Sequence, residues 1–307
     1  MPSELIVATA PTAEVDPLEL TAAVQKALAS PSFRAPTLPA VALEVMQLAS
    51  RSNVQFDEVV SVLQRDPVLA ARVLSIAQSA FYATRSPVMT LHQAAIRLGL
   101  KTLRDLVLEA ALHLEVFRVP GYDEIMARLY RHSTAVAHVS RAVCRRTLVN
   151  AEYAFLCGLL HDVGFAAALL AIVERPAWRR LSMRTLSPVL DAVHVDASGL
   201  LARQWKLPPP LQQLVAHHHD VVVNGRAEQA NAALVLAEQL CWEAGAGMLP
   251  PPDDADPLST ATPEPPLEGL DVNWHGVFHE ARKALKMDDA ALGAARAEAF
   301  ELVAQLG

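Results

Sequence analysis

Residues 56–77 read FDEVVSVLQRDPVLAARVLSIA, and the spacing of their apolar side chains decides the fold class. Phe56, Val59, Val60 and Leu63 recur at steps of three and four, and Leu69, Val73, Ile76 and Ala77 do so again after a break. Such steps place side chains along one stripe of an α-helix, whereas a half-buried strand would alternate at every second residue. The break is Asp66-Pro67. A carboxylate there can accept from the free N–H groups of a first turn, and a proline loses nothing where its N–H would have no partner. Two short helices meeting at a corner, each burying one face, are expected.

The same device predicts helix starts at Asp16-Pro17 and Ser187-Pro188. Thr90 with Gln93 three residues later matches a capping box, and Gly99 is placed to end that short helix in the left-handed conformation. Lys101 then opens a longer helix rich in leucine and alanine. Strand signals are scarce. Val221–Val223 before Asn224-Gly225 is the best candidate, and it lacks a clear partner. With only 12 glycines in 307 residues and no repeat of fixed period, the expected class is all-α, with no sheet of three or more strands.

Composition divides the chain. Residues 1–15 read as a flexible tail and 16–247 as the core domain. From Met248 the sequence MLPPPDDADPLSTATPEPPLEG is acidic and proline-rich, so 248–270 reads as a linker or long surface loop. Helical spacing returns over 271–307, a C-terminal helical segment placed to pack back on the core.

Bulk chemistry narrows the function classes. Hydrophobic residues at 52% and charged residues at 19% describe a globular chain. A net charge of −7, with 26 basic residues scattered along the sequence, lacks the electrostatic footprint that phosphate backbones demand, so no nucleic-acid partner is expected. Cys144, Cys157 and Cys241 form no CxxC pair and read as packing thiols of a reducing compartment. The start MPSELIVATAPTAEV has no positive leader region, and the apolar run Ala166–Val173 is bounded by Gly164 and Glu174 like a core helix. A cytoplasmic protein with no membrane insertion is expected.

Histidines and carboxylates are spread over successive predicted helices. His132 lies in RLYRHSTAVAHVSRAV, His161 and Asp162 in FLCGLLHDVGFAAAL, His194 in VLDAVHVDASGLLARQW, His218 and His219 in LQQLVAHHHD, and Glu238 in ALVLAEQLCW. His161-Asp162 interrupts a helix that is otherwise apolar on every side, and a buried unpaired carboxylate costs several kcal/mol, on the order of what a metal or buried cation would offset. Alone, the pair reads as a hydrogen-bonded structural dipeptide rather than as a metal site. The triplet His217–His219 fits a solvated helix end, and His132, His194 and Glu238 each admit an ordinary core or surface role. Together, nitrogen and oxygen donors from five predicted helices suit a divalent transition metal, Fe, Mn or Zn, in a mononuclear or dinuclear site. His92, His113, His138, His275 and His279 lack such company and read as structural or exposed. Arg145-Arg146 and Arg179-Arg180 read as solvated helix ends, and Trp205 as a core anchor against the proline turn.

The series His132, His161-Asp162, His194, His218-His219 and Glu238 resembles the ligand series of HD-domain phosphohydrolases, the HD-GYP branch above all. APTLPAVALEVMQLA, LQRDPVLAARVLSIAQSAFY, LHQAAIRLGLKTLRDLVL, RQWKLPPPLQQLVAHHHD and LVLAEQLC resemble HDOD domains over about 35–245. The resemblance implies a two-lobed helical bundle, HDOD-specific N-terminal helices followed by an HD-like half. It also implies a bacterial signal-transduction module that acts as a protein-interaction or scaffold domain with signalling proteins as partners. Three departures argue against turnover. No glycine-tyrosine-proline motif follows the paired histidines, Phe165 stands where active enzymes often carry a lysine, and Glu238 replaces an aspartate. No catalytic residue is therefore assigned. The alternative is a metal-dependent phosphohydrolase acting on a nucleotide or cyclic dinucleotide, the metal activating water for in-line attack.

Overall fold

The computed structural model describes residues 16–49, 51, 53–82, 88–149, 154–178, 181–248 and 274–306. The predicted tail 1–15, nearly all of the proline-rich stretch and Arg179-Arg180 lie outside the described residues. Among those described, the chain is helical almost throughout.

The first lobe is built from α2 (Ala40–Ala49), α3 (Phe56–Leu63), α4 (Pro67–Ala77) and α5 (Leu91–Ala111), preceded in the chain by α1 (Pro17–Leu28). The corner between α3 and α4 forms as its sequence dictates: Asp66 Oδ1 accepts from Leu69 N at 3.0 Å, with Pro67 in the first turn. Val59, Val60, Leu63, Leu69, Val73, Ile76 and Ala77 are the buried stripe. Asp16 caps α1 in the same way, accepting from Leu18 N at 2.9 Å. Thr90 accepts from Gln93 N at 3.1 Å, while the Gln93 side chain reaches back one residue further than a capping box, to Met89 N at 2.8 Å. Gly99 does break α5, but with φ 81° and ψ 161° it is extended and not left-handed helical, a region open chiefly to glycine.

The second lobe follows a π-helical turn (Leu112–Val116). It comprises α6 (Asp123–Cys144), α7 (Ala154–Leu160), α8 (Val163–Val173), α9 (Met183–Gln204), α10 (Pro209–Ala216) and α11 (Gln229–Glu243). α8 packs along α9, α6 along α7 and α11, and α10 against α9, while α1 crosses over to lie on α8 and α9. One predicted start is corrected here. Ser187-Pro188 does not open α9; Ser182 does, accepting from Thr185 N at 3.3 Å, and Pro188 sits inside the helix, beyond its first turn, where it forfeits one backbone hydrogen bond.

The valine run pairs after all. β1 (Val222–Val223) is antiparallel to β2 (Arg226–Ala227) across Asn224-Gly225, both at positive φ as a tight primed turn requires. Its partner was hidden because Arg226-Ala227 carries no strand propensity. Two C-terminal helices, α12 (Trp274–Ala284) and α13 (Asp289–Leu306), return to the second lobe: α12 lies on α11, and α13 on α6 and α11.

The segment Ala154–Val173 is long and apolar enough by composition to cross a membrane. Here it is broken at His161-Asp162 and buried inside the bundle as α7 and α8. Cys144, Cys157 and Cys241 are buried free thiols. Trp205 is buried, and its indole N–H donates to the Pro36 carbonyl at 2.9 Å, which ties the end of α9 to the chain entering α2.

Candidate metal centre

All seven side chains singled out as ligands meet at one place in the second lobe. His132 comes from the middle of α6, His194 from α9 and Glu238 from α11. The other four do not come from helices as expected. The helix carrying His161 and Asp162 ends at Leu160 and restarts at Val163, with Asp162 at φ −102° and ψ 9°. α10 stops at Ala216, so the histidine triplet occupies a turn. That freedom lets two adjacent rings, His218 and His219, face the cluster with centroids 4.2 Å apart, which one helix face would forbid. His217 points away, its Nδ1 3.1 Å from Asp220 Oδ2.

The Asp162 carboxylate is the hub. Its Oδ2 lies 3.3 Å from Nε2 of both His132 and His161, and its Oδ1 lies 3.6 Å from Nε2 of both His194 and His218. Glu238 Oε1 stands 2.9 Å from His161 Nε2 and 3.8 Å from His219 Nε2. Three overlapping groups of donor atoms are each close enough to share an ion: His132, His161 and Asp162; His194, His218 and His219; and Asp162, His218 and Glu238.

Which nitrogen carries the proton follows from the backbone. The Nδ1 atoms of His161, His194 and His218 lie 2.8, 2.6 and 2.8 Å from the carbonyls of Gly158, Asp191 and Val215, each three residues upstream. Nδ1 of His132 lies 2.7 Å from the Ala246 carbonyl. A carbonyl only accepts, so all four Nδ1 atoms donate. In a neutral ring the Nε2 atoms then carry bare lone pairs, and all four point at one another and at a carboxylate. His132 Nε2 and His161 Nε2 face each other at 3.2 Å. His218 Nε2 and Glu238 Oε2 are buried without any hydrogen-bond partner. Converging lone pairs in a dry site repel unless a cation lies between them, and imidazoles oriented through Nδ1 to backbone carbonyls are what metal-binding histidines require. The residues present therefore fit a metal ion.

Electrostatics agrees. Burial works against charge on His161, yet Asp162 and Glu238 outweigh it and lift the imidazole to about 10. Burial would raise Asp162, but the histidines around it, His161 foremost, hold the carboxyl well below its usual range. His218 is held well below ordinary histidine by burial, and His219 down at about 4 by burial against the pull of Glu238. The site thus draws positive charge to His161, between Asp162 and Glu238, while His218 and His219 beside it resist protonation.

Several supporting residues escaped the sequence reading. Asn231, buried at the start of α11, donates through Nδ2 to the His217 carbonyl and, at 3.1 Å, to the Asp220 carbonyl, so it holds the turn that carries His218 and His219. Ser198 Oγ accepts from Gly164 N at 2.8 Å, pinning α8 to α9 one turn beyond His194. A Cβ on Gly164 would lie 2.0 Å from the His194 carbonyl, so only glycine allows this approach. Phe165 stacks on the His194 ring at 4.5 Å and 22°. Apart from Phe165, which the sequence had already singled out, none of these links has a local signal: the partners of Asn231 lie eleven and fourteen residues upstream, and Gly164 and Ser198 are 34 apart.

Two other readings resolve here. His138 is a core histidine, packed on Phe81 and Phe155 with Tyr82 Oη 3.3 Å from its Nε2, and burial holds it down at about 3. Arg145 and Arg146 do end α6, yet both pair with Glu298 on α13.

The HDOD domain family model matches residues 35–221. An uncharacterised protein of Treponema pallidum is 24% identical over 195 residues, 61% of this chain but only 38% of its own length, so the chain spans about two fifths of that relative. The fold is shared with a Shewanella amazonensis protein provisionally named a metal-dependent phosphohydrolase, at TM-score 0.69 and 18% identity, over 95% of this chain and 99% of that one. It is shared too with a Marinobacter aquaeolei protein provisionally named a signal transduction protein, at TM-score 0.58 and 20% identity, over 94% and 69% of the two chains.

Proposed function

The chain belongs to the HDOD family, and we propose that it is a signal-transduction module whose HD-like centre binds a divalent transition metal to set the module's conformation, without turning over substrate. Its partners are other signalling proteins and its setting is the cytoplasm. The Marinobacter protein's name is consistent with that role.

One observation carries the reading. Five of the seven donor side chains are buried, and the ring that lies flat on His194 is the apolar Phe165, which offers a phosphate no charge. His132, His161, Asp162, His194, His218, His219 and Glu238 would hold the metal. Because the two Asp162 oxygens face different histidine pairs, the set has room in its chemistry for one ion or for two bridged by that carboxylate. A bound metal would supply Lewis acidity and could activate water. Here the surrounding groups chiefly orient imidazoles and exclude solvent.

Metal analysis of the native protein, run beside a phosphodiesterase assay, tests the proposal. Stoichiometric Fe, Mn or Zn without turnover is the expected outcome, and a folded protein that takes up none of these metals refutes it.

The phosphohydrolase reading has one observation in its favour. The side chains of His219 and Glu238, 19% and 12% exposed, give the otherwise buried centre an edge toward solvent. Steady hydrolysis of a nucleotide by the metal-loaded protein, lost in Asp162→Ala, would establish it.

A further inference from the structure

The C-terminal helices lie beyond the 35–221 span of the family match, yet they grip the two helices that bracket the metal centre. α13 buries a single stripe, Leu292, Ala295, Ala299 and Val303. On one side of that stripe Glu298 pairs with Arg145 and, at 2.6 Å, with Arg146, both just past the end of α6. On the other side Arg296 Nε donates to Glu243 Oε2 at 2.7 Å, at the end of α11, while its Nη2 lies 3.5 Å from the other oxygen. Residues two apart on a helix point about 200° from one another, so Arg296 and Glu298 can hold neighbours on opposite flanks.

These two helices are also the ones whose spacing the centre depends on. α6 carries His132, and α11 carries Glu238. Just past Glu243, the chain turns back at Gly245 (φ 82°), and the Ala246 N–H donates to the Cys241 carbonyl at 2.8 Å. That turn presents the Ala246 carbonyl to His132 Nδ1 at 2.7 Å. Hence the hydrogen bond that fixes the tautomer and aim of His132 crosses from α6 to the end of α11, next to the residue Arg296 holds. α12 extends the same grip, with Gln229 Nε2 donating to the Ala284 carbonyl at 3.2 Å.

We propose that the α12–α13 pair is a clamp whose seating sets the metal affinity of the histidine centre, Arg296 and Glu298 acting as positioning residues through the His132–Ala246 hydrogen bond. The proposal rests on reading the cluster as a metal centre. Coupling of this kind is reciprocal: a seated clamp favours the metal, and the metal favours a seated clamp. Anything that lifts the C-terminal helices would weaken the hold on the ion, which gives a largely buried centre a route for communication with a partner.

The test uses the full-length protein with Mn2+ as the probe. Affinity is measured by calorimetry for the wild type, for Arg296→Ala/Glu298→Ala, and for the swapped pair Arg296→Glu/Glu243→Arg, with circular dichroism to confirm equal helix content. Amide hydrogen exchange over residues 274–306 is followed with and without metal. The double alanine variant should bind Mn2+ about tenfold more weakly, the swap should recover most of that loss, and metal should slow exchange in α12 and α13 of the wild type several-fold. Equal affinity in the folded double variant, or exchange in α12–α13 that ignores the metal, overturns the clamp while leaving the metal centre standing. A wild type that binds no Mn2+ overturns both.

Discussion

Tyr130 donates its hydroxyl to Glu109 Oε1 at 2.7 Å, joining α6 to α5 where the two lobes meet. Glu109 is buried, and its second oxygen has no hydrogen-bond partner. Burial pushes its carboxyl up to about 7, against the opposing pull of Tyr130 and Arg72. Nearby, Asp105 is held by Arg104 at 2.8 Å and by Arg141, so the lobe junction is a charged cluster separate from the metal centre.

The sign of the resulting pH dependence is fixed. Between its ordinary value of 4.5 and about 7, Glu109 keeps a proton in the folded state that the unfolded chain has released. Its contribution is therefore most favourable below pH 4.5 and is lost as the pH rises to about 7. Glu109→Gln should erase that slope, gaining roughly 3–4 kcal/mol on the wild type between pH 4.5 and 8. Urea unfolding across that range checks it, and two parallel curves would contradict the assignment.

Metal should stabilise the fold, since a site this buried exists only in the folded state. At a free Mn2+ concentration about 100 times Kd, linkage gives about 2.7 kcal/mol, or roughly 5 °C in Tm. The His161→Ala/Asp162→Ala variant should show no shift, and a chelator should reverse it in the wild type. A shift that survives in the double variant would place the ion elsewhere.

Cyclic di-GMP hydrolysis should be undetectable or very slow in the metal-loaded protein. Phe165 covers His194 where a lysine often stands in active relatives of the HD type, and an apolar ring supplies no charge to a phosphate. Chromatographic assay of the linear product checks this, with turnover abolished by Asp162→Ala as the contrary result.

Gly164→Ala should be among the most damaging small changes in the chain. The added methyl would meet the His194 carbonyl at 2.0 Å and Ser198 N at 2.6 Å, both backbone atoms that cannot yield without parting α8 from α9. A loss of about 3 kcal/mol or more in chemical denaturation is expected, with His194 displaced.

The fold class was legible because its signals are local. Asp66-Pro67, Asp16-Pro17 and the three-and-four spacing after Phe56 act within one or two turns, and the structure repeats them. Ser187-Pro188 misled for the same reason: the motif fits a helix start, but Ser182 five residues earlier caps first, and nothing in the dipeptide reports that competition. The seven ligand candidates were visible as residue types standing out of apolar surroundings. Their setting was not. Whether the turn at Asp162 exists, where α10 stops, and which carbonyl orients His132 depend on packing between segments as far apart as His132 and Ala246. The Glu109–Tyr130 pair went unread because each residue alone looks like an ordinary helix-surface position.

Asn231 offers the sharpest test of that long-range support. Its side chain is 1% exposed, and its amide spans the turn between the His217 and Asp220 carbonyls, so it closes the loop that aims His218 and His219. It touches no metal ligand through its own side chain, and it donates to backbone, so its effect must be positional. Asn231→Ala leaves two carbonyls without their donor in a buried place, which should cost about 1–3 kcal/mol of stability. It should also weaken Mn2+ binding by about 10- to 100-fold, the range expected when a supporting hydrogen bond behind a metal ligand is lost. Asn231→Asp should be worse for the turn, because a carboxylate facing two carbonyls repels where the amide donates. Unfolding by urea gives the first number and calorimetric titration the second. If Asn231→Ala lost stability yet bound Mn2+ as tightly as the wild type, the turn would be holding the fold but not the aim of His218 and His219.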